Sequence, residues 1–501
     1  MKNFCFALCI GLSIYVNQAF GSETGMPQLN PEFWTAQIFW LILIFSSLYL
    51  IIWKIFLPRI TYSIENRKSR VVNDLDEAQK LKDNAEEKLE EYNEIIEKTK
   101  KEAKKIIDDS KKKLDKDILS SKDFNAIAIE TLYNLTSGEL SKERLTGMEK
   151  RAFNFPLTVK SLTPKQHVLE LFHGPTLAFK DFGARFLAEC MTHFNHQKAT
   201  IVTATSGDTG AAVAHAFHGK PNIDVVILYP KGKISKEQEQ LFCTLGDNIH
   251  TLKVDGDFDD CQSLVKQAFN DEEVAQTLNL NSANSINVAR LVAQVCYYTA
   301  LPALMNISND SPIDRLIVPS GNFGNLTAAM IAKAMGAPIN HLIAATNKND
   351  TVPRFFISKQ WRPKKTQRTL SNAMDVSQPN NFARILYYYQ ENLEQLFVDI
   401  SATSINEIQT RRTIRQYAQQ HYPVDPHTAV GLEVTSTLFR DKKSNDLVVA
   451  TAHPAKFADV LEDVLQEPVK RPQSILDAMN KTSLSIPLAN EFDDLKDYLL
   501  R

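Results

Sequence analysis

The pattern of apolar and polar positions divides the chain into a front of membrane character, a charged middle and a globular body. An apolar run from Phe4 to Val16 predicts a signal peptide over residues 1–21, with a first membrane span as the alternative. A second run, from Phe33 to Trp53, is 21 residues long, carries no charge and predicts a transmembrane helix over residues 33–57. Basic residues follow this run, which predicts that the rest of the chain is cytoplasmic.

Residues 58–118 are dominated by charge. From Arg59 to Ile118 the sequence has no glycine or proline and contains 16 basic and 16 acidic residues. Its apolar residues recur every eleven positions, as from Ala78 to Leu89. A period of eleven predicts a right-handed coiled coil, and a lone charged helix with accidental spacing is the alternative.

From residue 123 onwards, short apolar strands alternate with helical patterns. Strands are predicted over 200–205, 224–229, 248–254, 315–319, 341–346 and 447–450. Helices are predicted over 124–135, 142–152, 210–217, 236–245, 260–269, 287–304 and 326–335. Such alternation is typical of an α/β fold, with parallel sheets that carry helices on both faces.

Length, net charge and the spacing of cysteines and histidines exclude several classes of protein. A chain of 501 residues holds more than one domain, and a net charge of −2 gives it no overall attraction to nucleic acid. The six cysteines form no C-x-x-C pair, and neither they nor the histidines have metal-ligand spacing. We therefore expect no disulfide framework, no metal site and no nucleic-acid partner.

Lys180 is the candidate for covalent chemistry. It follows Gly174-Pro175 and lies between Phe179 and Phe182, with Asp181 beside it. A desolvated lysine has a lowered pKa, so its neutral amine can act as a nucleophile toward an aldehyde. The alternative is an ordinary lysine at a helix start, with its stem on apolar surface.

Three loops rich in glycine and small polar residues follow predicted strands: residues 206–210, 319–325 and 451–457. Ligands of parallel sheets bind at the carboxyl ends of strands. The glycines at 321 and 324 suit a phosphate cup at a helix start, although such turns also occur without a ligand. The loop at 206–210 offers hydroxyls and amides to a carboxylate, and a helix N-cap is its alternative.

Taken together, these loops resemble those of threonine synthases. The resemblance covers about residues 123–501, and its matching stretches are 170–183, 204–217, 226–235, 281–287, 318–324, 344–355, 370–381 and 451–457. It implies the fold type II architecture of pyridoxal-phosphate enzymes, which is similar to the tryptophan synthase β subunit and here comprises two α/β subdomains. It also implies the cofactor pyridoxal 5′-phosphate and a reaction that converts O-phospho-L-homoserine and water to L-threonine and phosphate.

The resemblance assigns roles to individual residues. Lys180 would form the internal aldimine, and Thr451 would face the pyridine nitrogen. The residues assigned to the cofactor phosphate are Gly321, Asn322, Phe323 and Gly324. Those assigned to the substrate are Ser206, Asp208 and Thr209 at its carboxylate, and Asn287 and Arg290 at its phosphate.

Residues 1–118 are similar to subunit b or b′ of the bacterial ATP synthase, in which a membrane anchor carries a stator helix. The chain then departs from threonine synthases at its start, because the stalk stands where they carry an N-terminal segment. We therefore expect a gene fusion, with an assembly artefact or a misjoined reading frame as the alternatives. The expected partners of the front are the membrane and a coiled-coil or ATP synthase stator. Two other functions stay open: a stator protein with an inactive C-terminal domain, and a related lyase such as a serine/threonine deaminase or a cysteine synthase.

Overall fold

The computed structural model describes residues 34–113, 123–194, 197–390, 392–438 and 444–501. The predicted signal peptide and the last residues of the predicted stalk lie outside these ranges. The chain divides into two compact units, Met1–Glu97 and Lys98–Arg501.

The first unit is helical throughout its described part. Helix α1 spans Trp34–Ile51, a π-helical stretch covers Ile52–Phe56, and α2 runs over Leu57–Lys113, across the boundary between the units. The apolar side chains of α1 are exposed, and Trp40 retains 58% of its accessible surface. By length and composition, two described helices could cross a membrane: Trp34–Asp76, and Val288–Met305, most of which is buried inside the second unit.

The second unit contains two β-sheets. The strands are β1 (Thr158–Thr163), β2 (Gln166–Glu170), β3 (Ala199–Ala204), β4 (Ile223–Pro230), β5 (Ile249–Val254), β6 (Leu280–Asn281), β7 (Ile313–Pro319), β8 (Ile339–Thr346), β9 (Ile400–Ser404), β10 (Asp446–Ala450) and β11 (Ile486–Leu488). The first sheet has the order β1-β2-β10-β7-β8-β9 and the second the order β11-β5-β4-β3-β6. All neighbouring strands pair in parallel except β1, which pairs antiparallel with β2. The predicted parallel sheets are confirmed. The strand β1, which the sequence did not predict, adds an antiparallel edge, because only a two-residue connection joins it to β2 and parallel strands need a crossover.

Helices cover both sheets. They are α3 (Phe124–Leu135), α4 (Lys142–Ala152), α5 (Lys180–Phe194), α6 (Asp208–Phe217), α7 (Lys236–Cys243), α8 (Phe258–Asn270), α9 (Glu272–Thr277), α10 (Val288–Thr299), α11 (Leu301–Met305), α12 (Gly324–Ala334), α13 (Thr351–Ser358), α14 (Phe382–Tyr388), α15 (Leu393–Asp399), α16 (Glu407–Gln419), α17 (Pro426–Leu438), α18 (Ala458–Leu465), α19 (Gln473–Met479) and α20 (Phe492–Leu499). The single helix predicted over 287–304 is interrupted at Ala300, the residue between α10 and α11.

Strand order decides where the loops meet. In the first sheet β2, β10, β7 and β8 are neighbours and run in the same direction. Their carboxyl ends therefore lie along one edge, and the loops that follow them are adjacent although hundreds of residues separate them in sequence. This edge carries Lys180, Thr451 and Gly321.

Candidate active site

Lys180 is the first residue of α5 and ends the loop that follows β2. This loop is bonded to the loop after β10: Phe179 N donates to Thr451 O at 2.9 Å, and His453 N donates to Leu177 O at 3.0 Å. An antiparallel bridge between Ala178 and Ala452 completes the contact. Two backbone segments from neighbouring strands thus fix the position at which the lysine side chain starts.

The Lys180 ammonium is disfavoured by its surroundings. Burial lowers the pKa of Lys180 to about 8, the charge of Asp208 opposes this, and the charges of Arg290 and Lys456 add to the lowering. The side chain nevertheless retains partial accessibility. Lys180 is therefore a desolvated amine that a ligand can still reach, as the apolar sequence around it predicts.

Close contact between two helices brings Arg290 to this region. A Cβ added to Gly183 on α5 would lie 3.0 Å from Arg290 O on α10, so a larger residue would require a shift of a few tenths of an ångström between the helices. The Arg290 side chain is buried and donates from Nη1 to Ala283 O at 2.6 Å, whereas its Nε has no partner among the described residues. Burial lowers the pKa of the Arg290 guanidinium to about 10.

Asn287 caps α10 instead of facing open space. Its Oδ1 accepts from Ala289 N at 3.0 Å and its Nδ2 donates to Ser282 O at 3.1 Å. Both polar atoms of the side chain are therefore used within the fold. The expected contacts of Asn287 and Arg290 with the substrate phosphate stay predictions, and among the described residues the Nε of Arg290 has no partner.

The loop after β7 turns into α12 without a side-chain cap. Phe323 adopts φ 61° at the N-cap position of α12 and makes no side-chain cap hydrogen bond. A Cβ added to Gly321 would lie 2.7 Å from Met374 Cα, so the loop packs directly on the backbone of residues 373–374. The first amides of α12 therefore stay available to an anion, with the helix dipole behind them.

Asparagines hold this loop in place. Asn322 Nδ2 donates to Ser285 Oγ, and Asn322 Oδ1 accepts from Asn380 N at 2.6 Å. Asn381 Nδ2 donates to Asn322 O at 3.0 Å. Near the start of α12, Asn325 Nδ2 is a buried donor with no partner among the described residues. A group that accepts hydrogen bonds would satisfy it.

The loop after β3 belongs to the second sheet and carries the residues expected at the substrate carboxylate. Asp208 and Thr209 are the first residues of α6, and Ser206 lies in the loop before it. The hydroxyls of Ser206, Thr209 and Thr451 make no hydrogen bond to any described residue. Asp208 differs, because its Oδ1 pairs with Lys456 Nζ at 2.8 Å and accepts from Gln238 Nε2 at 3.0 Å.

The Asp208 carboxylate is therefore paired within the protein, and its expected contact with a substrate carboxylate stays a prediction. Burial alone would raise its pKa, but the charges of Lys456 and Lys180 hold the pKa of Asp208 well below its usual range. What Asp208 can still offer to an anion is its backbone amide at the start of α6.

Sequence reasoning missed Lys456 and a second polar cluster around Asp375. Asp375 accepts from Asn347 Nδ2 at 2.9 Å, from Thr369 Oγ1 at 2.7 Å and from Thr369 N at 3.0 Å. Burial raises the pKa of Asp375 to about 6. The signals in the sequence were resemblances to threonine synthases: Lys456 lies in the stretch 451–457, and the cluster around Asp375 draws on the stretches 344–355 and 370–381.

A cavity of about 290 Å³ opens beside this region, and Lys180 is not among the residues that line it. Its walls come from Ser235 and Phe457, from the segment 368–372, and from the charged side chains of Lys233 and Glu407. Ser235 also donates from Oγ to Lys456 O at 2.9 Å, so the cavity is next to the Lys456 network. We place the site at Lys180 and not in this cavity, because Lys180 is a desolvated amine and lies where the loops after β2 and β10 are bonded to each other.

Comparisons with known proteins agree with this geometry. Residues 167–454 match the family model of pyridoxal-phosphate dependent enzymes, and residues 428–499 match the C-terminal model of threonine synthase. Threonine synthase from Escherichia coli (strain K12) is 47% identical over 386 residues, which cover 77% of this chain and 89% of that protein. In front of this region, residues 37–149 match the family model ATP synthase B/B′ CF(0).

Solved structures give the same result. The crystal structure of threonine synthase from Escherichia coli superposes with a TM-score of 0.72 at 46% identity, covering 77% of this chain and 89% of that one. The pyridoxal-phosphate-bound threonine synthase from Brucella melitensis superposes with a TM-score of 0.70 at 34% identity, covering 76% and 89%. The chain belongs to the threonine synthase family of pyridoxal-phosphate-dependent lyases, and its second unit has the α/β fold of those enzymes.

Proposed function

We propose that the chain converts O-phospho-L-homoserine and water to L-threonine and phosphate at Lys180. The observation that carries the proposal is the position of this desolvated amine, at the edge of the first sheet, where the loops after β2, β10 and β7 meet. The alternative lyases share the fold, but relatives at 46–49% identity are threonine synthases.

The residues present suit pyridoxal 5′-phosphate. An uncapped helix start and the unpartnered donor of Asn325 fit a phosphate, so we assign Gly321, Asn322, Phe323 and Gly324 to that group. Lys180 offers its amine to the aldehyde, and the free hydroxyl of Thr451 suits the pyridine nitrogen. When bound, the cofactor withdraws electrons from the substrate Cα and makes its proton acidic.

The chain's own residues then bind the substrate and move its protons. Lys180, once freed as a neutral amine, takes the proton from Cα and carries protons at Cα and Cβ. Loss of a proton from Cβ accompanies the departure of phosphate from Cγ, and Cγ then gains a proton and becomes the methyl group. Water adds its hydroxyl at Cβ, its proton passes to the medium, and Cα regains a proton. The Ser206 and Thr209 hydroxyls and the first amides of α6 suit the substrate carboxylate. The Nε of Arg290 has no partner among the described residues and belongs to a guanidinium group, so it suits the leaving phosphate as a hydrogen-bond donor.

Borohydride reduction of the cofactor-loaded full chain, followed by peptide mass spectrometry, tests the assignment of Lys180. We expect the mass of the reduced cofactor on the peptide that contains Lys180, and no covalent label in Lys180→Ala. Lys266→Ala is the matched control, because Lys266 is an exposed lysine on α8. Attachment of the cofactor to any other lysine in the wild-type chain would refute the assignment.

We further propose a division into a signal-like segment (1–21), a membrane helix (33–57), a coiled-coil stalk (58–118) and the catalytic region (123–501). The uncharged run and the exposed apolar side chains of α1 support the membrane helix. The 23 residues from Trp34 to Phe56 span about 35 Å as a helix, enough for a hydrocarbon core of about 30 Å. The catalytic region then lies on the cytoplasmic side, where basic residues follow the span.

A stator role is the second candidate function, favoured by the match of residues 37–149 to the ATP synthase B/B′ model. Alkaline extraction of membranes from cells that express the full chain tests the anchor. We expect the wild type to stay in the pellet and Ile44→Lys to be released, with Val71→Lys as the control outside the span. Copurification of ATP synthase subunits with both the wild type and Lys180→Ala would support the stator role, and their absence would contradict it.

A further inference from the structure

A buried ion pair joins the two sheets next to Lys180. Lys456 lies on the 3₁₀ turn Pro454–Phe457 after β10, and its side chain is 0% exposed. Its ammonium contacts Asp208 Oδ1 at 2.8 Å and donates to Thr176 O at 2.7 Å. A buried ammonium is costly unless such partners surround it, so the position of Lys456 requires the Asp208 carboxylate.

The orientation of Asp208 is fixed from a second side. Gln238 Nε2 donates to the same Oδ1 at 3.0 Å. Gln238 is held by a capping box with Ser235, whose Oγ donates to Lys456 O at 2.9 Å. The loop after β10 and the start of α7 therefore together turn the Asp208 carboxylate toward Lys456.

This arrangement determines which of two lysines pairs with the Asp208 carboxylate. Asp208 is the carboxylate that acts most strongly on Lys180, and Lys180 and Lys456 compete for it. Lys456 already holds Asp208 at ion-pair distance, whereas no ion pair to Lys180 is formed within the described part of the chain. A second ammonium beside the same carboxylate gains little attraction and meets repulsion from the first.

We propose that Lys456 is a positioning residue: it forms the ion pair with the Asp208 carboxylate and thereby leaves Lys180 as a free amine. The proposal rests on the function assigned to Lys180 above. It gives the buried pair a role in the reaction beyond joining the two sheets, since an amine that is already neutral can attack an aldehyde and accept a proton.

Other charged groups face this pair. Asp181 and Arg290 lie near Lys456 and Lys180 respectively, and His427 faces Asp208. His215 and His453 are close to Lys456, and burial lowers the pKa of His215 to about 4 and also lowers that of His453. Both histidines are therefore mostly neutral near pH 7, so neither competes with Lys456 for the Asp208 carboxylate.

Titration of Lys180 in the cofactor-free full chain tests the proposal. Lysines are acylated with a brief pulse of reagent between pH 6 and pH 11, and the modified fraction of Lys180 is read from its peptide by mass spectrometry. We expect a midpoint near 8 in the wild type. In Lys456→Met the midpoint rises by about one unit or more, which slows labelling at pH 7 about tenfold, because Lys180 then pairs with Asp208.

Lys456→Arg is the matched control, since it keeps a cation and should keep the midpoint within a few tenths of a unit. Asp208→Asn should lower the midpoint, because it removes the attraction on the Lys180 ammonium. An unchanged midpoint in a folded Lys456→Met, with folding checked by circular dichroism, would overturn the proposal. Because no cofactor is present, this outcome is independent of whether Lys180 binds pyridoxal phosphate.

Removing one member of a buried pair can unfold the protein, so a double variant is included. Lys456→Met combined with Asp208→Asn leaves no unpaired charge. Of the two charges removed, Asp208 has the larger influence on Lys180. Because Lys456 is proposed to act through Asp208, we expect the double variant to have a midpoint close to that of Asp208→Asn, with a rise smaller than that caused by Lys456→Met alone. A rise over Asp208→Asn as large as the one that Lys456→Met causes in the presence of Asp208 would contradict the proposal.

Discussion

The lowered pKa of Lys180 predicts how fast the cofactor-free chain takes up pyridoxal phosphate at different pH values. Only the neutral amine attacks the aldehyde. With a pKa of about 8, about 10% of Lys180 is neutral at pH 7, compared with about 0.03% of a lysine with the ordinary pKa of 10.5. The neutral fraction is therefore about 300 times larger than that of an ordinary lysine.

Stopped-flow absorbance of the attached cofactor measures this rate in the full chain. We expect the rate to rise between pH 6 and pH 8 and to level off above pH 9. N-acetyl-lysine under the same conditions corrects for the ionisation of the cofactor itself, and its rate should keep rising beyond pH 10. A rate for the chain that rises in parallel with that control up to pH 10 would refute the assignment of a desolvated, partly neutral Lys180.

Three further changes test other parts of the structure. Gly321→Ala places a Cβ against the backbone of Met374 and should weaken cofactor binding by about 1–3 kcal/mol. Equilibrium dialysis measures this loss. Gly147→Ala, on a helix, is the control and should bind the cofactor normally. Burial raises the pKa of Glu149 to about 7, and neither of its carboxylate oxygens has a partner among the described residues. The folded state therefore binds the extra proton, stability falls as pH rises from 4.5 through 7, and Glu149→Gln should remove this fall in thermal unfolding at pH 5.5 and pH 8. An unchanged pH dependence would show that Glu149 is ionised at both pH values. Arg315 forms a two-point ion pair with Asp446 across β7 and β10. Arg315→Met should lower the free energy of unfolding, measured in urea titrations, by about 3 kcal/mol. A loss under about 1 kcal/mol would contradict a buried pair.

The α/β body could be predicted because its strands are short, apolar and separated by helical patterns. The first two strands of the first sheet, β1 and β2, were harder to predict from the sequence. The outer face of β1 is exposed, so its residues lack the continuous apolar run that marks a buried parallel strand. The strand β2 mixes Gln166 and His167 with Val168 and Leu169, and this short alternation carries little signal against a loop.

Candidate site residues could be named from the sequence where a motif lies on one loop, as for Lys180 and Gly321, and their roles stay predictions. The sequence could not show contacts that depend on pairing between distant segments. Lys456 and Asp208 are 248 positions apart and belong to different sheets. From sequence alone Asp208 was expected to meet a substrate carboxylate, and only the position of Lys456 shows that its side chain is already paired.

The central claim is that Lys180 carries the conversion of O-phospho-L-homoserine to threonine. The most direct measurement follows threonine and phosphate together, from this substrate, in the cofactor-loaded full chain and its Lys180→Ala and Lys266→Ala variants. We predict that the wild type and Lys266→Ala release the two products in equal amounts, and that Lys180→Ala releases neither above background. Threonine formation at an undiminished rate by Lys180→Ala would contradict the account.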